Sequence, residues 1–488
     1  MVLRLQILWI FQVYYIHMKK ILPFLLLIIM HQVVLAQAQQ QKLDSVCALV
    51  KKYFNKKDPQ KLYDLTGEGF HKNIPWESFN SICFTNLFPL GAMTETIFEG
   101  YINGVTKYKA VFPTVAFDLL LSLEKGGKIE TFLLRPYTIL NAKKSVKSPF
   151  NNPLASTLDK AVDNIMQPFM EQLNTVGASI VIFKDDQTYY YGYGETAKGN
   201  NSIPDNHTIF EIGSISKTFT ATLLADAVSK GKIKLDDRVN KYLPDSIPLI
   251  TFDGVPVTIQ SLMNHSSGIP RMPSNFGNSK SDPYIDYDDS KMFSFYKNFK
   301  PTRKPGDKYE YSNLAVGTVG VILERINKDS YENILIKTIC KPLGMNDTKV
   351  SLGAKDSVRF AKGYSDGNFA APWNFKAFMA AGGIRSTASD MIRYAQAQLF
   401  TASSSLHNDI QLTHTVTFKS TDATLGLAWH YIKPGKDQIL FHNGGTGGYK
   451  SYMAVNLSKK FAVVILSNST IGVDGVGNEL MKWLELGL

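Results

Sequence analysis

Ser214 and Lys217 stand three residues apart in Phe210-Glu211-Ile212-Gly213-Ser214-Ile215-Ser216-Lys217-Thr218-Phe219-Thr220. The spacing predicts a helix from Ser214 to about Lys230, because Ile215, Phe219, Leu223 and Ala227 recur every fourth residue and Gly231 supplies a stop. The hydroxyl and the amine then lie one turn apart on a common face. Free backbone N–H groups and the positive dipole end at a helix start favour a developing anion, an arrangement that suits a covalent nucleophile. Ser-x-x-Lys also occurs at Ser229 to Lys232, across Gly231, and at Ser294 to Lys297, in a polar, aromatic, loop-like region. Neither offers a buried helix start. Taken alone, Ser214 and Lys217 read as a capping serine followed by a solvated lysine, so the remaining motifs carry the weight.

Two further constellations do so. Tyr311-Ser312-Asn313 follows Pro305-Gly306 and precedes an apolar helix predicted from Leu314 to Ile326, which puts polar side chains at a loop-to-helix junction. A Tyr311 phenolate is a candidate general base if cationic neighbours such as Lys217 favour its ionised form. Asn313 offers a donor and an acceptor to a substrate amide. Downstream, His442-Asn443-Gly444-Gly445-Thr446-Gly447-Gly448 lies between two strand-like runs. Its glycines allow close backbone approach, and the Gly445 N–H is a second oxyanion donor to set beside the Ser214 N–H. A phosphate-binding loop fits less well, since no helix begins after these glycines and the P-loop lysine and hydroxyl are missing.

The elements that must position these groups follow from the rest of the chain. Its 488 residues exceed what one core usually serves. Met18-Lys19-Lys20, an apolar run from Ile21 to Leu35 and Ala36-Gln37-Ala38 read as a signal peptide within residues 1–38, with Met18 the better-formed start. Export to the periplasm or the medium is therefore expected. Removing that segment takes away Arg4, Lys19 and Lys20 and no acid, which lowers the formal charge from +11 to +8. Acids are interspersed among the basic residues, and no lysine stripe interleaves with stacking aromatics, so nucleic-acid binding is not indicated. Nine dispersed histidines and three cysteines without metal-like spacing argue against a metal. Cys47 with Cys83 is a candidate bridge, and an odd count leaves at least one free thiol.

Residues 39–140 read as a small α+β module. A helical pattern runs from Lys42 to about Thr66, a short helix covers Trp76 to Phe84, and strands are expected at Glu95–Ile102, Gly104–Phe112, Val115–Glu124 and Lys128–Pro136. A linker rich in Asn, Lys, Ser and Pro spans residues 141–153. The second domain, 154–488, starts with an amphipathic helix and strands at Ala178–Lys184 and Thr188–Gly194. It returns to strands at Leu425–Ile432, Gln438–His442, Tyr449–Asn456 and Lys460–Ser467, and ends in a helix around Val476–Leu486. One antiparallel sheet built from both ends of the domain around a helical insert is the α+β fold expected.

The order Ser214-x-x-Lys217, Tyr311-Ser312-Asn313, His442-Asn443-Gly444, separated by 97 and 131 residues, resembles the serine β-lactamase and penicillin-binding-protein superfamily. Asn264-His265-Ser266-Ser267-Gly268-Ile269-Pro270, Lys341-Pro342-Leu343-Gly344-Met345 and Ala381-Gly382-Gly383-Ile384-Arg385-Ser386-Thr387 are similar too, and the resemblance covers roughly 154 to 488. Its nearest branch is the class C β-lactamase, D-alanyl-D-alanine carboxypeptidase and esterase group. The resemblance implies acyl transfer without a cofactor on a small-molecule or peptide substrate, cell-wall peptide included. Asn313 would hold the acyl side, and His442 the leaving side or a substrate carboxylate. His442 stands where many β-lactamases carry lysine, which weakens attraction for a carboxylate and favours peptide, amide or ester hydrolysis over β-lactam destruction. Slow deacylation, as in a penicillin-binding protein, and an idle scaffold remain as rivals. Residues 39–140 resemble the nuclear-transport-factor-two type of cone-like module, without a motif that chooses among binding a ligand, binding a partner and assisting folding.

Overall fold

The computed structural model describes residues 39–487 apart from 103–104, 114–115, 137–143, 145–146, 278–281, 422 and 433–437. The expected signal peptide lies outside the described residues, as does part of the expected linker. The chain divides into two compact units, Met1–Ala142 and Lys143–Leu488.

In the first unit, helix α1 (39–55) buries Leu43, Cys47, Val50 and Phe54, spaced as one helical face requires. A single helix to Thr66 does not form. Lys57 turns left-handed at φ 52°, and Asp58 caps a second helix, Pro59–Asp64, by accepting the Lys61 N–H at 3.0 Å. Proline fits that first turn because it has no N–H to leave unpaired. Strands β1 (Glu95–Ile102), β2 (Val105–Val111), β3 (Ala116–Leu123) and β4 (Ile129–Pro136) form a sheet in chain order. The Lys125-Gly126-Gly127 turn joins the last two, with Gly127 at φ 81°. Cys47 and Cys83 sit in the same core as buried free thiols, and no disulfide joins them.

The second unit is a sheet flanked by helices. Helix α2 (Thr157–Met170), capped reciprocally by Ser156 and Asp159, leads into strands β5 (Gly177–Lys184) and β6 (Gln187–Gly194). The chain returns as β9 (His430–Tyr431), β10 (Ile439–Gly445), β11 (Lys450–Asn456) and β12 (Phe461–Ser467), and β12 pairs antiparallel with β5 from Ala462↔Phe183 to Ser467↔Ala178. Successive strand side chains face opposite ways, so the central strands feed two cores. Ile180, Ile182, Val463 and Ile465 pack with α2 and the terminal helix α6 (Asp474–Leu486), whereas Val181, Phe183, Val464 and Leu466 join the core of the helical insert. Burial on both faces explains why β12 reads as an unbroken apolar run. The strand expected over Leu425–Ile432 is interrupted, with Thr424–Leu425 and His430–Tyr431 extended and Ala428 left-handed at φ 61° between them.

Candidate active site

The nucleophile's segment is held from both sides. Strand β7 (Ile209–Glu211) pairs with β8 (Arg385–Thr387), and the Ile212 N–H donates to the Ile384 carbonyl at 3.1 Å. Gly213–Ile215 then form one 3-10 turn, and helix α3 starts at Ser216 rather than at Ser214, running to Ser229. Ser214 therefore precedes the α-helix by two residues. The expected one-sided apolar stripe is also wider than the sequence suggested. Every residue from Ser216 to Ala225 is buried, because the helices Asn313–Asn327, Met379–Gly382 and His407–His414 pack around α3. Its threonines pair internally, as when Thr220 Oγ1 donates to the Ala380 carbonyl at 2.7 Å.

Lys217 Nζ lies 2.9 Å from Ser214 Oγ and also donates to the Ala381 carbonyl. The amine is fully enclosed. Burial, reinforced by the Arg271 guanidinium, holds it well below the ordinary lysine value, so the neutral form is favoured. The other Ser-x-x-Lys pairs differ in kind. Ser229 Oγ donates to Asp409 and Lys232 Nζ to Asn327, so that serine and that lysine turn to different partners.

Tyr311 arrives on the loop before helix α4 (Asn313–Asn327), which Ser312 caps by accepting the Ala315 N–H at 2.9 Å. The Asn264–Pro270 stretch clamps this loop. The Ser312 N–H donates to His265 Nδ1 at 3.2 Å, Ser312 Oγ donates to the Pro270 carbonyl, and the His265 ring lies 4.5 Å from that of Tyr311. Lys217 Nζ sits 4.9 Å from the Tyr311 ring centroid. Burial raises the Tyr311 hydroxyl well above the ordinary phenol range, and its interaction with Ser214 and the Arg271 charge only partly offset this. A resting phenolate sustained by a charged Lys217 therefore does not describe this site. Lys217 is the group poised to accept a proton, and Tyr311 is a neutral phenol.

The third motif closes the other wall. His442, Asn443, Gly444 and Gly445 lie in β10, and a Cβ on Gly444 would fall 2.1 Å from the Ile212 carbonyl oxygen. Gly213, left-handed at φ 50°, would bring a Cβ within 2.6 Å of the Gly445 nitrogen. Glycine at these positions lets the strand's backbone abut the turn that carries Ser214. His442 Nδ1 donates to the Asn443 carbonyl at 2.7 Å, an acceptor that fixes the ring proton there and leaves Nε2 as a buried lone pair. Burial, with the neighbouring His430 and Lys217, holds His442 well below its usual value. The ring is neutral, not partly charged.

Ser214, Tyr311, His442, Gly444 and Gly445 line one cleft of about 500 Å³ with Arg271, Tyr309, Trp373, His430 and Lys450, and Lys217 reaches Ser214 from the protein side. Asn313 is turned toward its own loop. Its amide donates to Met272 Sδ at 3.6 Å, and its buried Oδ1 has no hydrogen-bond partner among the described residues. Arg271, Lys450, Tyr309 and His430 escaped the sequence reading. Arg271 directly follows the Asn264–Pro270 stretch, and Lys450 pairs with Gly445 across a hairpin, a register that only strand pairing reveals. Tyr309 bonds His430 Nε2 at 3.0 Å, and a buried Glu211–Arg385 ion pair at 3.0 Å supports the Trp373 backbone.

A serine hydroxyl, an enclosed amine held well below the ordinary lysine value and a phenol held above its own thus meet at this cleft. The sequence profile of the beta-lactamase family matches residues 162–484. The chain belongs to the beta-lactamase family. It is a serine hydrolase of the β-lactamase, DD-peptidase and esterase type. Over 348 residues it is 28% identical to a beta-lactamase of Pseudomonas fluorescens, an alignment that covers 64% of this chain and 94% of that one. Over 314 residues it is 28% identical to the D-alanyl-D-alanine-carboxypeptidase/endopeptidase AmpH of Escherichia coli K12, covering 60% and 80%. A solved class C beta-lactamase superposes with a TM-score of 0.60 at 28% identity, covering 67% of this chain and 97% of that one.

The burial that neutralises Lys217 fixes a pH profile. Protonation of the amine abolishes its basicity, so kcat/KM for a neutral ester should rise with pH along an acid limb whose midpoint lies well below 10.5. Because the phenol is displaced upward, no alkaline fall should appear before about pH 10, the ordinary tyrosine value. Initial rates across buffers of constant ionic strength check both limbs, and a decline starting near neutrality would contradict the assignment.

Proposed function

We propose that this serine hydrolase is exported and cleaves an amide or ester of D-alanyl peptide type through a covalent Ser214 acyl-enzyme. The observation that carries the reading is the 2.9 Å contact between Ser214 Oγ and the enclosed Lys217 amine. Ser214 attacks the substrate carbonyl as Lys217 takes its proton, while the Ser214 and Gly445 N–H groups receive the negative charge on the carbonyl oxygen. Tyr311 passes a proton to the leaving nitrogen or oxygen and regains one from Lys217 as the tetrahedral adduct collapses. Water then attacks the acyl carbon with the same groups in reverse. The neutral His442 withholds the charge that a lysine there would present to a β-lactam carboxylate, which supports peptide or ester cleavage over β-lactam destruction. Export rests on the basic, apolar and small-residue succession within residues 1–38.

Intact-mass analysis tests the chemistry. A fluorophosphonate should add one equivalent to the protein, located on the Ser214 peptide after digestion, and labelling at any other residue would overturn the proposal. Penicillin, p-nitrophenyl esters and D-Ala-D-Ala peptides, offered in turn, separate the rivals. Turnover of the peptide or ester with slow loss of a penicillin adduct supports the reading, whereas rapid penicillin turnover alone identifies a β-lactamase.

A further inference from the structure

We infer that Arg271 makes this cleft selective for substrates whose acyl half carries an anionic group. The inference rests on the acyl-transfer reading above and names the substrate class of that same site. Arg271 follows directly on the clamp that fixes Tyr311, and its guanidinium carbon lies 5.0 Å from the Tyr311 ring centroid, on the wall of the cleft that holds Ser214.

Among the described residues its charge has no counter-ion. None of the ion pairs among the described residues involves Arg271, and the groups that feel its field are Lys217, His265, Tyr284, Tyr309 and Tyr311, none of them acidic. An acid that also acts on Tyr284, Asp282, is already engaged. One of its carboxylate oxygens accepts the Tyr284 N–H at 3.1 Å, and the other accepts the Asn374 N–H at 2.7 Å. Nearby Glu310 pairs with Arg303 at 3.1 Å. Arg271 is itself exposed, and from the wall of the cleft that holds the nucleophile its guanidinium disfavours any further positive charge and offers a planar two-pronged donor to a carboxylate.

The backbone places that donor on the wall opposite β10, where the Arg271 carbonyl accepts the Asn313 N–H at 3.1 Å; the family resemblance sets Asn313 on the acyl side, although its side chain here turns toward its own loop. Lys450, the other cation of the cleft, stands instead on β11 against Gly445, the oxyanion donor, and His442, the leaving-side residue, lies on the strand it pairs with. The two charges thus suit different ends of one substrate.

Two p-nitrophenyl esters of equal acyl length test this: the monoester of glutaric acid, with a free carboxylate on the acyl chain, and the neutral valerate. The ratio of kcat/KM for glutarate over valerate should favour glutarate, fall about 10- to 100-fold in Arg271→Gln, and recover in part in Arg271→Lys. Because the ratio is taken on one protein, a general disturbance of Tyr311 cancels. The wild-type preference should also shrink as salt is raised. A ratio that Arg271→Gln leaves unchanged overturns the inference while leaving the hydrolase intact. If wild type cleaves neither ester, the hydrolase reading is what fails, and binding of the two uncleaved esters to Ser214→Ala decides the inference separately. At least tenfold tighter binding of the glutarate ester, lost on adding Arg271→Gln, upholds it, and equal binding refutes it.

Discussion

Ser214→Ala should yield a folded protein whose hydrolysis of any cleaved ester or peptide is lower by roughly 10⁴- to 10⁶-fold, the scale of removing a covalent nucleophile. Ser214 occupies the 3-10 turn between β7 and α3, and its hydroxyl contributes to the fold little beyond its contact with Lys217. The Ile212 N–H bond to the Ile384 carbonyl, the Ser216 N–H bond to the Gly213 carbonyl, the Lys217 bond to the Ala381 carbonyl and the buried sides of Ile215 and Phe219 all survive the change. The melting temperature should therefore move by no more than about 1 °C, corresponding to under about 1 kcal/mol in a domain of this size. Initial rates on purified protein, with circular dichroism to confirm folding, settle the matter. Activity within tenfold of wild type would mean that the hydroxyl does not carry the acyl group.

Lys217→Met should separate activity from stability. Turnover should fall by about 10³-fold or more, because Lys217 Nζ is the amine in contact with the Ser214 hydroxyl and proton transfer is worth about 10²- to 10⁴-fold. Stability should rise. In the unfolded chain the lysine is charged near neutrality, while the folded site disfavours the charge, so the unfolded state binds more protons. Wild-type stability accordingly increases with pH between the depressed folded value and about 10.4, the ordinary lysine value, and burying the amine is a cost at neutral pH. Methionine fills a similar volume without that cost, and the Ala381 carbonyl and the Ser214 hydroxyl each lose one partner, so a net gain of about 1–2 kcal/mol is expected. Thermal melts at pH 7 and pH 9 check both the gain and its reduction at the higher pH. A variant less stable than wild type at pH 7 would mean that the amine carries structural weight beyond its bond to Ala381.

How much of the site was legible depended on the kind of signal. Ser214 and Lys217 were found because helical spacing is local and Ser-x-x-Lys states both groups at once. Tyr311 and His442 were found because short motifs flanked by glycine or proline mark loop and strand ends. Arg271 and Lys450 carry no motif, and ordinary surface arginines and lysines look the same in sequence. Boundaries slipped where a single residue's backbone intervened: Lys57 and Ala428 adopt left-handed conformations that their types do not announce, so one helix and one strand were read too long. Cys47 and Cys83 share a core without bonding, which residue counting alone left open.

The sequence by itself determined the pairing of Ser214 with Lys217, the order of the three motifs and a sheet fed from both ends of the domain, because each is written in local spacing or alternating apolar character. Only the tertiary structure decided the protonation states. Full enclosure of Lys217 holds its amine well below the ordinary lysine value, the same enclosure keeps Tyr311 a phenol and His442 uncharged, and none of this follows from residue type. The unpaired charge of Arg271 beside the nucleophile likewise exists only once residues 57 positions apart in the chain, Ser214 and Arg271, line one cleft. Burial and charge proximity are properties of assembled surfaces, and they set the chemistry that the motifs merely make available.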